Sequence, residues 1–577
     1  MECDRLQGVE YAFKHPLIQE VTYDSLLAAR REELHLQVGR AVEAALGAQV
    51  PGYHAMLAFH FSLGRDLERA EKYLFEAGSE AAQSAASNEA LRFFQEASKL
   101  YFERHGEGGD PRKKATLERS VALAMYNRGL VGEAIAHFDA ALEYLGERVT
   151  KNPLLLNLRF LRDVSAVLAD LYLKVRVRSR PAASAEQREI IDVMFRRGES
   201  QSTADPMRFV FDAVATIRKL SKVDPSTVPG AGGMYAGAVG IFSYSGVSFG
   251  VSRRFLALAR RVGSATSEQD QPLFYRFARF LHHFLEGDWS AEHEIEEAVL
   301  EEGLREGRLF EVTSYLGLAA EKALRQGDFP TAGARIQLLD KIWELYEYEP
   351  AKLGRYALPF MLRLEQRRLR EVGEAADVYI QESPQELLHL AGLGYKARAQ
   401  LLDGERDDAE ATLARADEIV KKVGSPIPYH RSSYLVARLC ADLISLEAAA
   451  AAGDRGESRR LDRRSRRSGR AALRIVPKVS HWGPEAFRLA GRRAWLTGRE
   501  AEAVRWWERS LAAGRHLGMR PEIARTYHEA GLRFAESRRA RELEGRDAAA
   551  CLEEARMTFA ALDLGWDLAR LESSSPP

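Results

Sequence analysis

Cysteine is scarce in this chain of 577 residues: Cys3, Cys440 and Cys551 stand far apart and form no CxxC pair. That scarcity argues against a disulfide framework or a structural zinc site and fits a reducing cytoplasm. A dominant charge is missing too. Lys+Arg and Asp+Glu both number 83, so nothing global draws the chain to nucleic acid or an anionic membrane. There is no GxxxxGK[ST] loop and no Gly-Lys pair, so a nucleotide's phosphates find neither a backbone cradle nor a lysine. An HRD-type loop, DFG, HExxH and a Gly-x-Ser-x-Gly at a strand-to-helix elbow are also absent, which leaves kinase, metalloprotease and hydrolase chemistry without residues. The opening MECDRLQGVEYAFKHP holds no apolar core of signal-peptide length.

Charge is missing locally between Asp224 and Arg253. That run is long enough for the roughly 20 residues of a membrane span, but Gly, Ser, Thr and two prolines dilute it. The spacings Gly233/Gly237 and Gly246/Gly250 suit close helix contact. A tightly packed, buried helical hairpin is expected here rather than a membrane segment.

What the chain has is a phrase that returns. Gly129, Ala134, Phe138 and Ala141 share their spacing with Gly327, Ala332, Ile336 and Leu339. The same spacing recurs as Gly404, Ala409, Leu413 and Ala416, and as Gly498, Ala503, Trp507 and Ser510. Five residues make a helix end, a turn and a new start; the following +4 and +3 steps keep to one helical face. Small residues let two antiparallel helices approach closely. This is the second half of a tetratricopeptide repeat, a helix–turn–helix unit of about 34 residues. The expected fold is all-α: about 12–14 helical hairpins stacked into a right-handed superhelix with a concave groove. Five regions are expected: 1–50, tetratricopeptide repeats over 51–150, divergent helical repeats over 151–310, repeats again over 311–572, and a tail at 573–577.

The first fifty residues differ from the rest. Ile18, Val21 and Leu26, then Leu34, Val38 and Val42, give apolar faces to two amphipathic helices. Phe13, His15, Leu17, Ile18, Glu20, Tyr23 and Leu26 are followed by Arg30, Arg31, Leu34 and His35. This block resembles the junction of bacterial signal-transduction ATPases of the STAND class, which include transcription activators, ATPase-linked adenylyl cyclases and kinases fused to an ATPase module. The resemblance covers about a tenth of the chain. It implies that residues 1–50 are the end of the ATPase-associated helical or winged-helix region, with Phe13, His15, Glu20, Tyr23, Arg31 and His35 as a hinge motif. The chain, lacking the phosphate loop, then reads as the C-terminal portion of such a protein. The partner is an ATPase or kinase module, in cis or in trans, or another protein or effector held in the groove.

A repeat array binds through the first helix of each hairpin. The glycine–alanine register turns Arg119, Asn127, Arg398, Arg488 and Arg492 to that groove, and Arg488 and Arg492, one turn apart, can hold a carboxylate. Seven arginines crowd residues 459–470. They read as an exposed helix or loop, and alternatively as a DNA contact of a transcription-regulator subunit through Arg459–Arg474, although no aromatic side chains interleave to stack bases. His282-His283, His293-Glu294 and His528-Glu529 read as structural, with no carboxylate at ligand spacing on the same helix face. No metal, cofactor or catalytic residue is expected, and the expected role is that of a non-catalytic regulatory arm.

Overall fold

Gly129, Gly327, Gly404 and Gly498 all sit at positive φ, between 75° and 90°, where a side chain would strain the backbone. Each ends one helix and turns the chain back along it. The second helix then buries the small residues of the phrase: Ala134, Ala141, Ala332, Ala409, Ala416 and Ala503 are all fully buried. Asp328 shows how such a helix starts, its carboxylate accepting the Thr331 N–H at 3.1 Å.

The computed structural model describes residues 15–47, 49–84, 86–150, 152–172, 180–263, 273–383, 385–424, 427–537 and 542–574. Cys3 and Phe13 lie outside them. Among the described residues there are 27 α-helices and no strand, only two isolated β-bridges. No described helix is long and apolar enough to cross a membrane. The chain divides into two compact units, Met1–Val149 and Thr150–Pro577.

The first unit holds α1 (Pro16–Asp24), α2 (Ala28–Leu46), α3 (His54–Leu63), α4 (Leu67–Gln83), α5 (Ser87–His105), α6 (Pro111–Asn127) and α7 (Val131–Tyr144). From α2 onward each helix packs on the next. Leu57, Phe61 and Leu117 are fully buried in its core. In contrast, Leu17, Ile18 and Val21 on α1 are more than half exposed.

The second unit opens with α8 (Pro153–Tyr172), α9 (Ala185–Ala204), α10 (Pro206–Leu220), α11 (Ala231–Tyr244), α12 (Phe249–Gly263), α13 (Leu273–Glu286) and α14 (Glu297–Arg305). It continues through α15 (Leu309–Gln326), α16 (Phe329–Tyr346), α17 (Glu349–Glu365), α18 (Leu369–Glu382), α19 (Glu386–Asp403), α20 (Arg406–Val423) and α21 (Pro428–Ala451). It ends with α22 (Arg455–Ile475), α23 (Gly483–Leu496), α24 (Glu500–Leu517), α25 (Arg520–Glu536), α26 (Ala548–Ala561) and α27 (Gly565–Ser574). The uncharged run forms the buried α11 and leads into α12. Their backbones touch at Gly232, where an added Cβ would meet Gly263 Cα at 3.1 Å. The close approach thus falls one residue before the Gly233/Gly237 pair of the sequence reading.

In this unit α11, α13, α15, α17, α19, α21, α23 and α25 form a row, each packed on the next but one along the chain. The row does not stay open, because α15 also packs on α25. Gln326 donates to the Leu517 carbonyl at 2.9 Å across that closure. Behind it lies a buried ionic chain. Arg325 reaches Glu321 at 3.3 Å and Glu365 at 3.4 Å, while Arg525 donates to Glu365 at 2.5 Å and Asp567 at 3.0 Å. All five side chains are buried.

Close helix approach makes a sharp prediction. A Cβ at Gly394 on α19 would stand 2.5 Å from the Tyr434 backbone nitrogen on α21, an obstacle that cannot rotate away. Gly394→Ala should cost about 2–3 kcal/mol or more in urea unfolding. A cost below about 0.5 kcal/mol would show that the row is looser than described.

Candidate ligand-binding cavity

The row's inner faces carry charge at helical spacing. On α23 these are Glu485, Arg488 and Arg492; on α25, Arg525, Glu529 and Arg533. Closing the row brings them together with Arg398 of α19, Glu447 of α21, and Asp567 and Arg570 of α27. They enclose a cavity of about 450 Å³, within the size range of small-ligand sites. Its wall presents seven arginines against four carboxylates. Arg367 is the seventh, held at φ 58° in the turn after α17, its Nε 3.5 Å from Asp567.

Most of these charges are paired, as burial demands. Arg398 donates to Glu485 at 2.5 Å, and Arg488 to Glu522 at 2.5 Å. Arg492 and Arg533 both donate to Glu447, and Arg533 also to Glu529 at 3.4 Å. The pairing stops short of completion. Arg398 is 5% exposed, yet its Nη1 has no hydrogen-bond partner. Arg492 and Arg533 keep about a fifth of their side-chain surface, so the cavity is reachable from solvent. Burial pushes the acids up, but the arginines outweigh it and hold Glu447, Glu485 and Glu529 below the ordinary range. Burial, with the Glu485 charge adding to it, raises the Cys440 thiol to about 11 against the pull of the arginines, so this wall residue is not a nucleophile near neutrality. Burial also lowers His528. The site as built holds fixed positive charge and buried donors, the equipment for binding an anion.

Three of the five groove residues read from the sequence, Arg398, Arg488 and Arg492, meet in this cavity. Their partners there include Glu485, Glu522 and Glu447 from the chain itself. Arg119 and Asn127 stand half-buried on α6 in the other unit and do not line it. Sequence reasoning missed Glu447, Arg525, Glu529, Arg533 and Asp567. Their i, i+4, i+8 spacing on α25 was visible, but the same spacing suits a solvated face.

The hinge residues lie in the first unit. Tyr23 Oη is 2.9 Å from His35 Nε2, and His35 Nδ1 is 3.0 Å from His60 Nδ1, which links α1, α2 and α3. Arg31 lies 3.3 Å from Asp24 and over the Tyr23 ring. His15 and Glu20 are exposed. Burial lowers His35 and His60.

The Arg459–Arg474 run lies on α22, an amphipathic helix with a basic outer face. Leu461, Ser465, Ala472 and Ile475 face inward, while Arg464 reaches Asp442 at 2.6 Å and Glu410 at 2.9 Å. Arg459, Arg463, Arg466, Arg467 and Arg470 are exposed.

One sequence reading of the histidines needs correction. Carboxylates do stand at ligand spacing. Glu286 lies one turn beyond His282 on α13, Oε2 to Nε2 3.2 Å. Asp288, in the following turn, lies 2.9 Å from His293 and 3.3 Å from His283. Glu286 shares a helix face with His282, and the turn at Gly287 brings in Asp288 and His293.

No protein-family model matches the chain, and no curated protein matches it by sequence.

Asp567 and Glu365 give the cavity a pH signature. Burial pushes both up, but Arg525 and its neighbours outweigh it and hold each at about 2. Unfolded, they would take up protons near 3.8 and 4.5. Their contribution, about 2–3 kcal/mol each, is complete above pH 4.5 and is lost as pH falls towards 2. Asp567→Asn should therefore cost about 3 kcal/mol at pH 7, with the gap narrowing at pH 3, as read by urea unfolding. A gap independent of pH would contradict the assignment.

Proposed function

We propose that this chain is a non-catalytic binding arm, an array of tetratricopeptide-like helical hairpins that receives the anionic group of a partner or effector in the arginine-lined cavity. The observation that carries this reading is the arginine-rich wall of the cavity, with the Nη1 of the buried Arg398 left without a hydrogen-bond partner. A buried guanidinium N–H without an acceptor costs stability that an anionic ligand would recover.

The resemblance of the first fifty residues supplies the context: the sensor arm of a STAND-type signalling ATPase or kinase. Its junction would dock on the ATPase module through α1, whose exposed Leu17, Ile18 and Val21 form an apolar face of the kind that marks interaction surfaces. The cavity walls come from helices far apart in sequence, so an anion bound there favours the closed row over any open one. Such a ligand biases a two-state assembly by its differential affinity. Cytoplasmic location and the absence of a catalytic role belong to the same reading.

Calorimetric titration of the full chain with phosphate, citrate and an Asp/Glu-rich peptide tests it. At least one should bind, and the double variant R398M/R492M should weaken that binding at least tenfold. Binding by none, or equal binding by the variant, would overturn the reading.

A second reading has one observation behind it, the exposed arginines of α22. On that reading the chain is a transcription-regulator subunit that meets DNA phosphates. Duplex affinity would fall roughly 10²–10³-fold between 50 and 200 mM salt for about five contacts. It would be lost on changing Arg459, Arg463, Arg466 and Arg470 to Gln. Fluorescence anisotropy with labelled DNA decides this, and an unchanged affinity in the variant rejects it.

A further inference from the structure

The end of α13 and the turn after it bring three metal-ligating side chains to one point. His283 is near the end of the helix, Asp288 follows the Gly287 turn, and His293 ends the short helical turn Ala291–His293. The two imidazoles are stacked, 3.6 Å between centroids and 5° between planes. His293 Nε2 lies 2.9 Å from Asp288 Oδ2, and His283 Nδ1 lies 3.3 Å from the same oxygen. All three ligand atoms fall within 4.8 Å of one another.

We propose that His283, Asp288 and His293 form a binding site for a divalent first-row transition ion of the zinc class, its remaining position open to water. Nitrogen and oxygen ligands about 2.0–2.1 Å from a tetrahedral zinc stand roughly 3.3 Å apart. The two measured separations, both to Asp288 Oδ2, are close to that value, and one of the parallel rings must tilt for both lone pairs to meet the ion. Two imidazoles and a carboxylate, with a position to spare, are a ligand set that suits zinc, cobalt and nickel. His283 Nδ1 is buried and makes no well-formed hydrogen bond, Asp288 Oδ2 at 3.3 Å being its ionic neighbour. Asp288 is itself oriented, accepting from Ser290 Oγ at 3.0 Å through Oδ1 and leaving Oδ2 to the histidines. Glu286 adds a second carboxylate beside His283, grouped with it and His282 within 4.8 Å.

The position gives the ion something to fix. The Gly287 turn packs on Ser480, which a Cβ at Gly287 would meet at 2.6 Å. Trp289 and Phe284 lie beside His481. Residues 480–482 lead directly into α23, which carries Glu485, Arg488 and Arg492 of the cavity. A bound ion clamps the turn that supports that helix. The proposal stands on the histidine cluster alone and does not depend on the anion reading.

The test uses the full chain, free of any histidine tag and stripped with chelator, titrated with ZnCl₂ by calorimetry and with CoCl₂ by visible absorption. One equivalent of each should bind, cobalt showing ligand-field bands that zinc abolishes. H283Q and H293Q should each weaken zinc binding at least 100-fold while helical circular dichroism is unchanged. D288N, nearly isosteric and on a half-exposed side chain, should weaken it at least tenfold, and it carries the test if a histidine variant misfolds. Absence of saturable zinc heat and cobalt bands, or undiminished zinc affinity in D288N, overturns the proposal.

Discussion

The ionic chain from Glu321 through Arg325, Glu365 and Arg525 to Asp567 is the constraint on which the second unit depends. It joins side chains up to about 160 positions apart, every one of them buried. A buried ion pair of this kind is weak evidence for added stability, since an apolar core of the same volume often does as well. Its effect is geometric. Each guanidinium fits its carboxylates in one arrangement only, so the network fixes how far the row of first helices curls and which faces meet.

The cavity follows from that curl. Helical hairpins stacked in a row need contact only their neighbours, and an open row would leave the arginines of α19, α23 and α25 in solvent. Because α15 meets α25, those faces turn inward and seven arginines come to line one cavity. The fold thereby creates the space that the proposed anion would occupy. The exposed apolar face of α1 in the first unit and the basic face of α22 in the second are surfaces of a different kind, built on single helices.

The local parts of this architecture were legible in the sequence and the long-range parts were not. The glycine phrase gave the turns at Gly129, Gly327, Gly404 and Gly498 because positive φ and a small-residue face are decided within a dozen residues. The run between Asp224 and Arg253 was legible as a buried segment because charge is absent there, and it forms the buried α11 and the start of α12. Arg398, Arg488 and Arg492 were visible by helical register. Their partners Glu447 and Glu522 were not, because no spacing within one helix reports a contact made by closure. Around the histidines the neighbouring carboxylates were missed: Glu286 stands at i+4 from His282 on α13 and was open to view, whereas Asp288 and His293 come together only through the turn.

The measurement that tests the central claim most directly is hydrogen exchange of the full chain with and without a saturating anion. If the closed row forms one site, protection should rise together in α19, α21, α23 and α25, which are far apart in sequence and share the cavity wall. Protection confined to α22, or a change in one wall helix without the others, would contradict the account.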